Sequence, residues 1–433
     1  MRLKLVGCIL GFLCLADLTY ANSEGNSETD SEQDAAARSG AKNFWLQSSV
    51  IPEGSVSFGT SVKVSNGNRG YSRSGGRENF GFDTERISQD FTVKMGVWDG
   101  VHLFVSVPYV FRNLMSLDAQ AFRSSSMYRE RLDDLSARAA RSLADTGVCS
   151  GTTSCQRLIS ARYAPLVDVS LALPSGESLL LRPGVPVLDA LDAAILGRVA
   201  PEEGLNGLGD VEFGFAVEIF RLKPNAAASV GTMGATAAGE SSIPLGLSIS
   251  PRLRLPTARF EDVPASKRPV GLGTTMAGVT FALDLGLEKH TLLGLSYEVE
   301  TEISPGKRRP SSWANGKVLR DQKSQKYSRT GLAQRASARL EYGLEGVADW
   351  MAGLAAEASY AYEGLTGASL GGESILRASS IQSLGSGLSY RSDLVGVPFS
   401  TGLMYTFPVY GSGEEIPVAP SRMTINAEIN VRL

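Results

Sequence analysis

Chemistry has few places to reside in this sequence. It holds two histidines, His102 and His290, and four cysteines among 433 residues. Acid/base work near neutral pH and most zinc sites draw on histidine. No Ser/His/acid constellation assembles around either one, so no catalytic residue, metal ligand or cofactor is expected, and a hydrolase is set aside. Of the cysteines, Cys149 and Cys155 have five residues between them in a Gly/Ser/Thr stretch. That spacing does not fit a redox or zinc CxxC motif; it suits a disulfide closing a small loop.

The remaining residues with chemical potential are charges, and they recur at every second position. The candidates are Lys94, Glu212, Glu218, Arg252, Arg254, Glu298, Glu300, Arg335, Arg339, Glu341, Arg422, Glu428 and Arg432. Each alternates with apolar neighbours. Thus Val211, Phe213, Phe215, Val217 and Ile219 interleave with Glu212 and Glu218, and Leu253 and Leu255 with Arg252 and Arg254. Such alternation is the mark of a strand with one apolar and one polar face.

Twelve segments share the pattern, beginning near Val56, Ile87, Val101, Val211, Leu245, Val279, Leu293, Ala336, Trp350, Leu384, Val397 and Met423. They run to about 9–13 residues, enough for a tilted strand to cross a bilayer, whereas soluble strands average about 5–6. Connections alternate in length: 98–100, 288–291, 345–349 and 391–396 are short; 65–86, 112–210, 302–332, 363–380 and 408–422 are long. The connection 222–244 is long where a short one is expected, so either it is an ordered loop or the count is off by a hairpin. Tyr, Phe and Trp gather near segment ends, as interfacial girdles do. A strand-built membrane protein must close its sheet, because hydrocarbon offers no partner to an open edge. The expected fold is therefore an all-β, transmembrane, antiparallel up-and-down barrel of about 12–14 strands. The charged row then lines the lumen, since each charge would cost about 2–4 kcal/mol on the lipid face near the midplane.

Composition agrees. A 43% hydrophobic content excludes a disordered chain, and 42 basic against 45 acidic residues leave no nucleic-acid footprint. The one long apolar run, residues 5–15, is too short to span; with Arg2 and Lys4 before it and Thr19-Tyr20-Ala21 after it, residues 1–21 read as a signal peptide. Residues 22–53 form an acidic, flexible segment whose Phe44 and Trp45 are candidates for a plug. Residues 54–433 are the barrel, with 112–210 as a long extracellular insert. Within it, Met127–Ala144 shows helical spacing, and Val187–Leu196 is apolar on nearly all sides. Leu188, Leu191 and Leu196 are the candidate solute groove. Both termini fall on the periplasmic side, and the C-terminal strand is the segment expected to engage the barrel-assembly machinery. The surrounding partner is outer-membrane lipid.

Short motifs add a resemblance. Val105-Ser106-Val107-Pro108-Tyr109, Gly207-Leu208-Gly209-Asp210, Leu253-Arg254-Leu255-Pro256-Thr257 and Gly271-Leu272-Gly273-Thr274 resemble outer-membrane barrels of hydrocarbon uptake. These are the FadL-type fatty-acid channels and the related barrels of toluene and phenol degradation, and the likeness covers roughly residues 85–433. FadL-type channels carry a plug with an Asn-Pro-Ala motif and fourteen strands; residues 22–53 contain no such motif, and Val167–Leu173 with Ser178–Leu181 are candidates for one further hairpin. The resemblance implies passive uptake of small hydrophobic or amphipathic solutes such as long-chain fatty acids. The alternatives are a surface barrel acting in adhesion or antigenic display, and a general porin.

Overall fold

The computed structural model describes residues 51–72, 75–172, 178–199, 203–222, 245–258, 267–268, 270–288, 290–308, 311–314, 317–321, 324–376, 378–394, 397–413 and 418–432. Residues 1–50, with the signal-peptide segment, Phe44 and Trp45, lie outside them, as do most of 222–244 and Leu433.

Twelve long strands form one closed ring. They are β1 (Ser55–Gly67), β2 (Phe82–Trp98), β3 (Val101–Leu117), β4 (Val211–Leu222), β5 (Leu245–Leu255), β6 (Thr275–Glu288), β7 (Thr291–Ser304), β8 (Ala333–Gly343), β9 (Leu354–Leu365), β10 (Ser379–Leu394), β11 (Val397–Gly413) and β12 (Ser421–Arg432). Each pairs antiparallel with its neighbours in sequence, and β12 returns to β1 with Ser55 opposite Arg432. All twelve alternating segments of the sequence become barrel strands, and the ring closes with that number; the connection 223–244 lies outside the described residues. Gly207-Leu208 adds a thirteenth, outlying strand against Tyr109 and Val110.

The ring is inverted relative to a soluble protein. Phe91, Val93 and Met95 on β2, Phe213 and Phe215 on β4, and Leu403, Tyr405 and Phe407 on β11 stand exposed on the outside. On the inside, Ser57, Glu300 and Glu341 are 0%, 5% and 1% exposed. Aromatic residues mark two levels of the outer surface: Trp98, Tyr342, Trp350 and Tyr390 at the short-turn end, and Tyr109, Phe111, Tyr360, Tyr405 and Phe407 toward the long-loop end. This is the arrangement a bilayer selects, with apolar side chains toward acyl chains and rings at the interfaces. A β-bulge between Glu218 and Phe220 resets the alternation on β4. Ile219 and Phe220 both face out, and Arg221 joins the inner row beside Glu218 at 2.8 Å.

Between β3 and β4 the chain builds a conventional globule. Helices α1 (Ala119–Ser124), α2 (Ser126–Asp145), α3 (Thr152–Ser160) and α4 (Val187–Val199) surround Phe122, Leu135, Ala139, Leu143, Ile159, Leu191, Ala194 and Ile195, all buried. Asp118 caps α1 by accepting from the backbone N–H groups of Gln120 and Ala121, and the Ser125 hydroxyl caps α2 at Tyr128 N. The sequence pattern predicts α2 and α4 closely but not α3, which is short and starts in the Gly/Ser/Thr stretch. Cys149 and Cys155 are joined, with 5.6 Å between their Cα atoms.

Two expectations for this region need correction. The hairpin Val169–Ala172 with Ser178–Leu181 does form, but it belongs to a separate four-stranded sheet with Ser311–Ala314 and Lys317–Asp321, not to the barrel. Leu191 is fully buried and Leu188 and Leu196 pack against the same core. α4 is apolar on nearly all sides because it packs into the insert's core, so its leucines hold the insert together rather than line an open groove.

Candidate functional site: the lumen wall

The inward row of β4 to β9 carries charges that meet across strands. Register puts Glu212 opposite Arg254 and Glu298 opposite Arg335, with Arg335 opposite Glu363. Arg335 lies 2.9 Å from Glu363 and 3.7 Å from Glu298. Glu298 is paired in turn with Arg252, which reaches Glu212 at 3.7 Å. Glu212 holds Arg254 at 3.0 Å, and Arg254 reaches Glu300 at 3.3 Å. Glu363, Arg335, Glu298, Arg252, Glu212, Arg254 and Glu300 thus form one continuous line of alternating sign across the wall. Arg252 spans β6 to reach Glu298 on β7 because Gly278 stands between: a Cβ there would sit 3.2 Å from Arg252 Nε and 2.9 Å from the Val299 carbonyl.

A second group lies at the short-turn end. Glu341 accepts from Arg391 at 3.0 Å and is 3.2 Å from Arg339, which is 3.9 Å from Glu357. A third joins β12 to β1 and β2: Glu428 accepts from Lys94 at 2.9 Å and from the Ser57 hydroxyl at 2.5 Å. Arg422 and Arg432 lie at the two ends of β12, both exposed. Residues absent from the sequence-based set complete these groups. Glu357 and Glu363 follow the same alternation on β9. Arg391 falls past the expected end of its strand, and Arg221 past the bulge.

Between the charged lines runs a row of small residues. Ser248, Ala282, Ser296, Ser337, Ala361 and Ser383 stand in register on six consecutive strands, β5 to β10. The Ser296 and Ser337 hydroxyls are 2.7 Å apart. His102 also sits on the inner row and is buried, with Phe104 beside it at 6.2 Å between ring centroids. His290 lies in the turn after β6, 3.1 Å from Glu345. The two histidines share no site. The lead-in to β1 is tied to the inner end of this wall, where Gly54 N donates to Gly96 O at 3.1 Å.

All four short motifs converge at the long-loop rim, where the insert leaves and re-enters the ring. Asp210 Oδ1 accepts from Ala258 N at 3.1 Å and Oδ2 from Leu272 N at 2.6 Å. The Thr257 hydroxyl donates to Gly209 O and accepts from Val211 N, both at 2.9 Å, while Gly209 N donates to Pro108 O at 2.8 Å. A Cβ on Gly271 would collide with the Asp210 carboxylate. Burial pushes the Asp210 carboxyl above the usual carboxylate range, and the backbone donors from Leu272 and Ala258 work against that rise. The motifs therefore build a knot that fastens β3, β4, β5 and β6 where the ring closes across the insert, with β4 paired to β3 only from Val101 to Ser106.

A closed ring with an apolar exterior, aromatic levels at both ends and a charged, self-paired interior defines the class: an integral outer-membrane β-barrel, its long loops outside. No family model matches the chain, and no curated protein does. Among solved structures it is similar to an outer membrane channel from Pseudomonas putida F1 (9% identity, 88% of this chain and 97% of that one, TM-score 0.49). It is also similar to the toluene transporters TbuX of Ralstonia pickettii (10% identity, 88% and 90% covered, TM-score 0.35) and TodX of Pseudomonas putida (8% identity, 88% and 91% covered, TM-score 0.34). Identities this low carry over neither a residue nor a solute.

Proposed function

We propose that this protein is a passive outer-membrane channel for small hydrophobic or amphipathic solutes. The observation that carries the reading is the way lumen charges cancel in place. In the three groups along the wall each carboxylate lies within about 4 Å of an arginine or lysine, so the field of each pair falls off quickly toward the axis. A wall built to select ions would instead segregate rings of one sign. Here the wall is polar enough to stay hydrated and close to neutral, one carboxylate in excess across the three groups, with a smooth row of Ser and Ala between the charged lines. A neutral or amphipathic solute crosses such a passage without competing against a large fixed charge. The terminal strand β12 is the proposed signal for the barrel-assembly machinery.

The test is reconstitution. In planar bilayers the purified barrel should conduct with little preference between potassium and chloride. In liposomes it should speed entry of small aromatics and fatty acids relative to protein-free vesicles. A strong preference for one ion sign, with no acceleration of apolar solutes, would favour a general porin. An absence of conductance and flux from a folded barrel would favour a display role for the loops.

A further inference from the structure

The insert is rooted on one side of the ring and fastened on the other. Its core takes in Phe80 and Phe82 at the start of β2, Met115 and Leu117 at the end of β3, and Val418 just before β12. Phe82 and Phe122 pack edge to face at 5.4 Å, and the Ser126 hydroxyl donates to Glu78 at 3.0 Å. These roots cover the rim from β12 through β3. At its far end the insert's own strand Ser178–Leu181 pairs in parallel with Ser311–Ala314, inside the connection between β7 and β8. The strand pairing there covers two residue pairs, Ser178 with Ser312 and Leu179 with Trp313, and α4 lies beside both Ser311–Ala314 and Lys317–Asp321. On the insert side it is well supported, because Leu179 and Leu181 are buried in the same core.

Ring order gives this join its meaning. Counting along the twelve strands, the midpoint of the root, between β1 and β2, is six strands from the gap between β7 and β8 in either direction. The two attachment points are diametrically opposed, and the shortest path between them is the mouth of the barrel. Resting on the channel reading above, we propose that the insert is a strap across the mouth, rooted at β12–β3 and latched at the β7–β8 connection, and that releasing the latch admits solute. The asymmetry of the two ends sets which one moves. The root is a packed aromatic core continuous with the barrel strands, whereas the strand pairing at the latch is two residue pairs long, and a short pairing opens locally at lower cost than a core.

The experiment locks the latch. Cα partners on neighbouring strands stand about 4.8 Å apart, within reach of a disulfide. Ser178→Cys with Ser312→Cys should therefore cross-link on oxidation. Folding is checked by the heat-dependent mobility shift of the barrel in SDS, and the readout is conductance in potassium chloride across a planar bilayer. The oxidised double variant should show open events reduced about tenfold or more, restored by reductant, while the parent and both single variants respond to reductant by less than about twofold. Trp313→Pro, which removes a backbone N–H from the latch strand, should raise the open fraction. Unchanged conductance in the cross-linked protein overturns the strap, and so does failure of two reactive thiols to join. A barrel with residues 119–203 replaced by a short linker separates the two readings. If it is folded yet silent, the channel reading fails and takes the strap with it. If it conducts while cross-linking changes nothing, only the strap fails.

Discussion

The barrel and its insert solve opposite problems with one alphabet. In the insert, Leu191, Phe122 and Leu143 vanish into a core and arginines such as Arg129 and Arg141 remain outside. In the barrel, Phe91, Phe215 and Leu403 are on the outside and Glu300 and Glu341 are buried within. The insert is held by removing apolar surface from water. The barrel is held by a closed backbone ladder that leaves no unpaired group facing lipid, and its apolar side chains need only match their surroundings. A charge set on an apolar position should therefore destabilise both regions, but at a buried position in the insert and at an exposed one in the barrel, which gives a sharp way to break the comparison.

The largest effect is expected from Leu191→Asp. A carboxylate placed without a partner in that core should cost more than about 4 kcal/mol, enough to unfold the insert. Limited proteolysis should then cut residues 119–199 while the barrel keeps its heat-dependent mobility in SDS. Loss of the barrel as well would mean that the two regions fold as one unit. Next, Phe281→Arg on the outer face of β6 should cost about 2–4 kcal/mol when folding into vesicles is followed by denaturant titration. A neutral result would move Phe281 away from the bilayer midplane.

Glu298→Gln probes the inside. It leaves Arg252 and Arg335 without their shared carboxylate; full burial would make that cost about 3–5 kcal/mol, and the hydrated lumen should lower it to about 2. Conductance should shift toward anions, because the line, four carboxylates to three guanidiniums as it stands, loses one negative charge and becomes three to three. Unaltered ion preference would place the line outside the conducting path. Reducing Cys149–Cys155 should cost about 2 kcal/mol at most, given the short loop it closes, and should loosen α3 to hydrogen exchange without touching the strands.

The legibility of the sequence follows the same division. Lipid on one side and water on the other enforce a period of two along every crossing, so all twelve strands could be read from residue order. The insert obeys ordinary globular rules, and there local pattern underdetermines the outcome. α4 is apolar on nearly all sides, which suits a groove-lining helix and a core helix equally, and only packing shows Leu191 to be core. Arg221 escaped because a bulge changes parity after Glu218, and Arg391 because its strand runs on into a segment that looks like a turn. The rim knot was visible only as four separate motifs. Asp210 finds its donors 48 and 62 residues away, and no spacing rule reports such a contact.

The smallest effect concerns two protons in the insert, one at each end of the pH scale. The Tyr128 hydroxyl donates to Asp192 at 2.6 Å, and Arg123 holds the same carboxylate through two bonds at 2.8 and 3.0 Å. Burial, aided by the bond to Asp192, pushes the Tyr128 phenol up to about 12. The Arg123 hydrogen bond leads in holding the Asp192 carboxyl below its ordinary range. The signs then differ at the two ends of the pH scale. A phenol whose folded value is raised contributes stability that is complete below the unfolded value near 10 and is lost as pH climbs through about 12. A carboxylate whose folded value is depressed contributes stability present above its unfolded value and lost as pH falls through the folded one. The insert should loosen at both extremes, modestly at each because these groups are partly solvated. Ultraviolet titration of the folded protein should show a tyrosine ionising late, near 12, and Tyr128→Phe should abolish that step. If the late step persists in the variant, another tyrosine carries it and the Arg123–Asp192–Tyr128 clamp does not set the insert's alkaline limit.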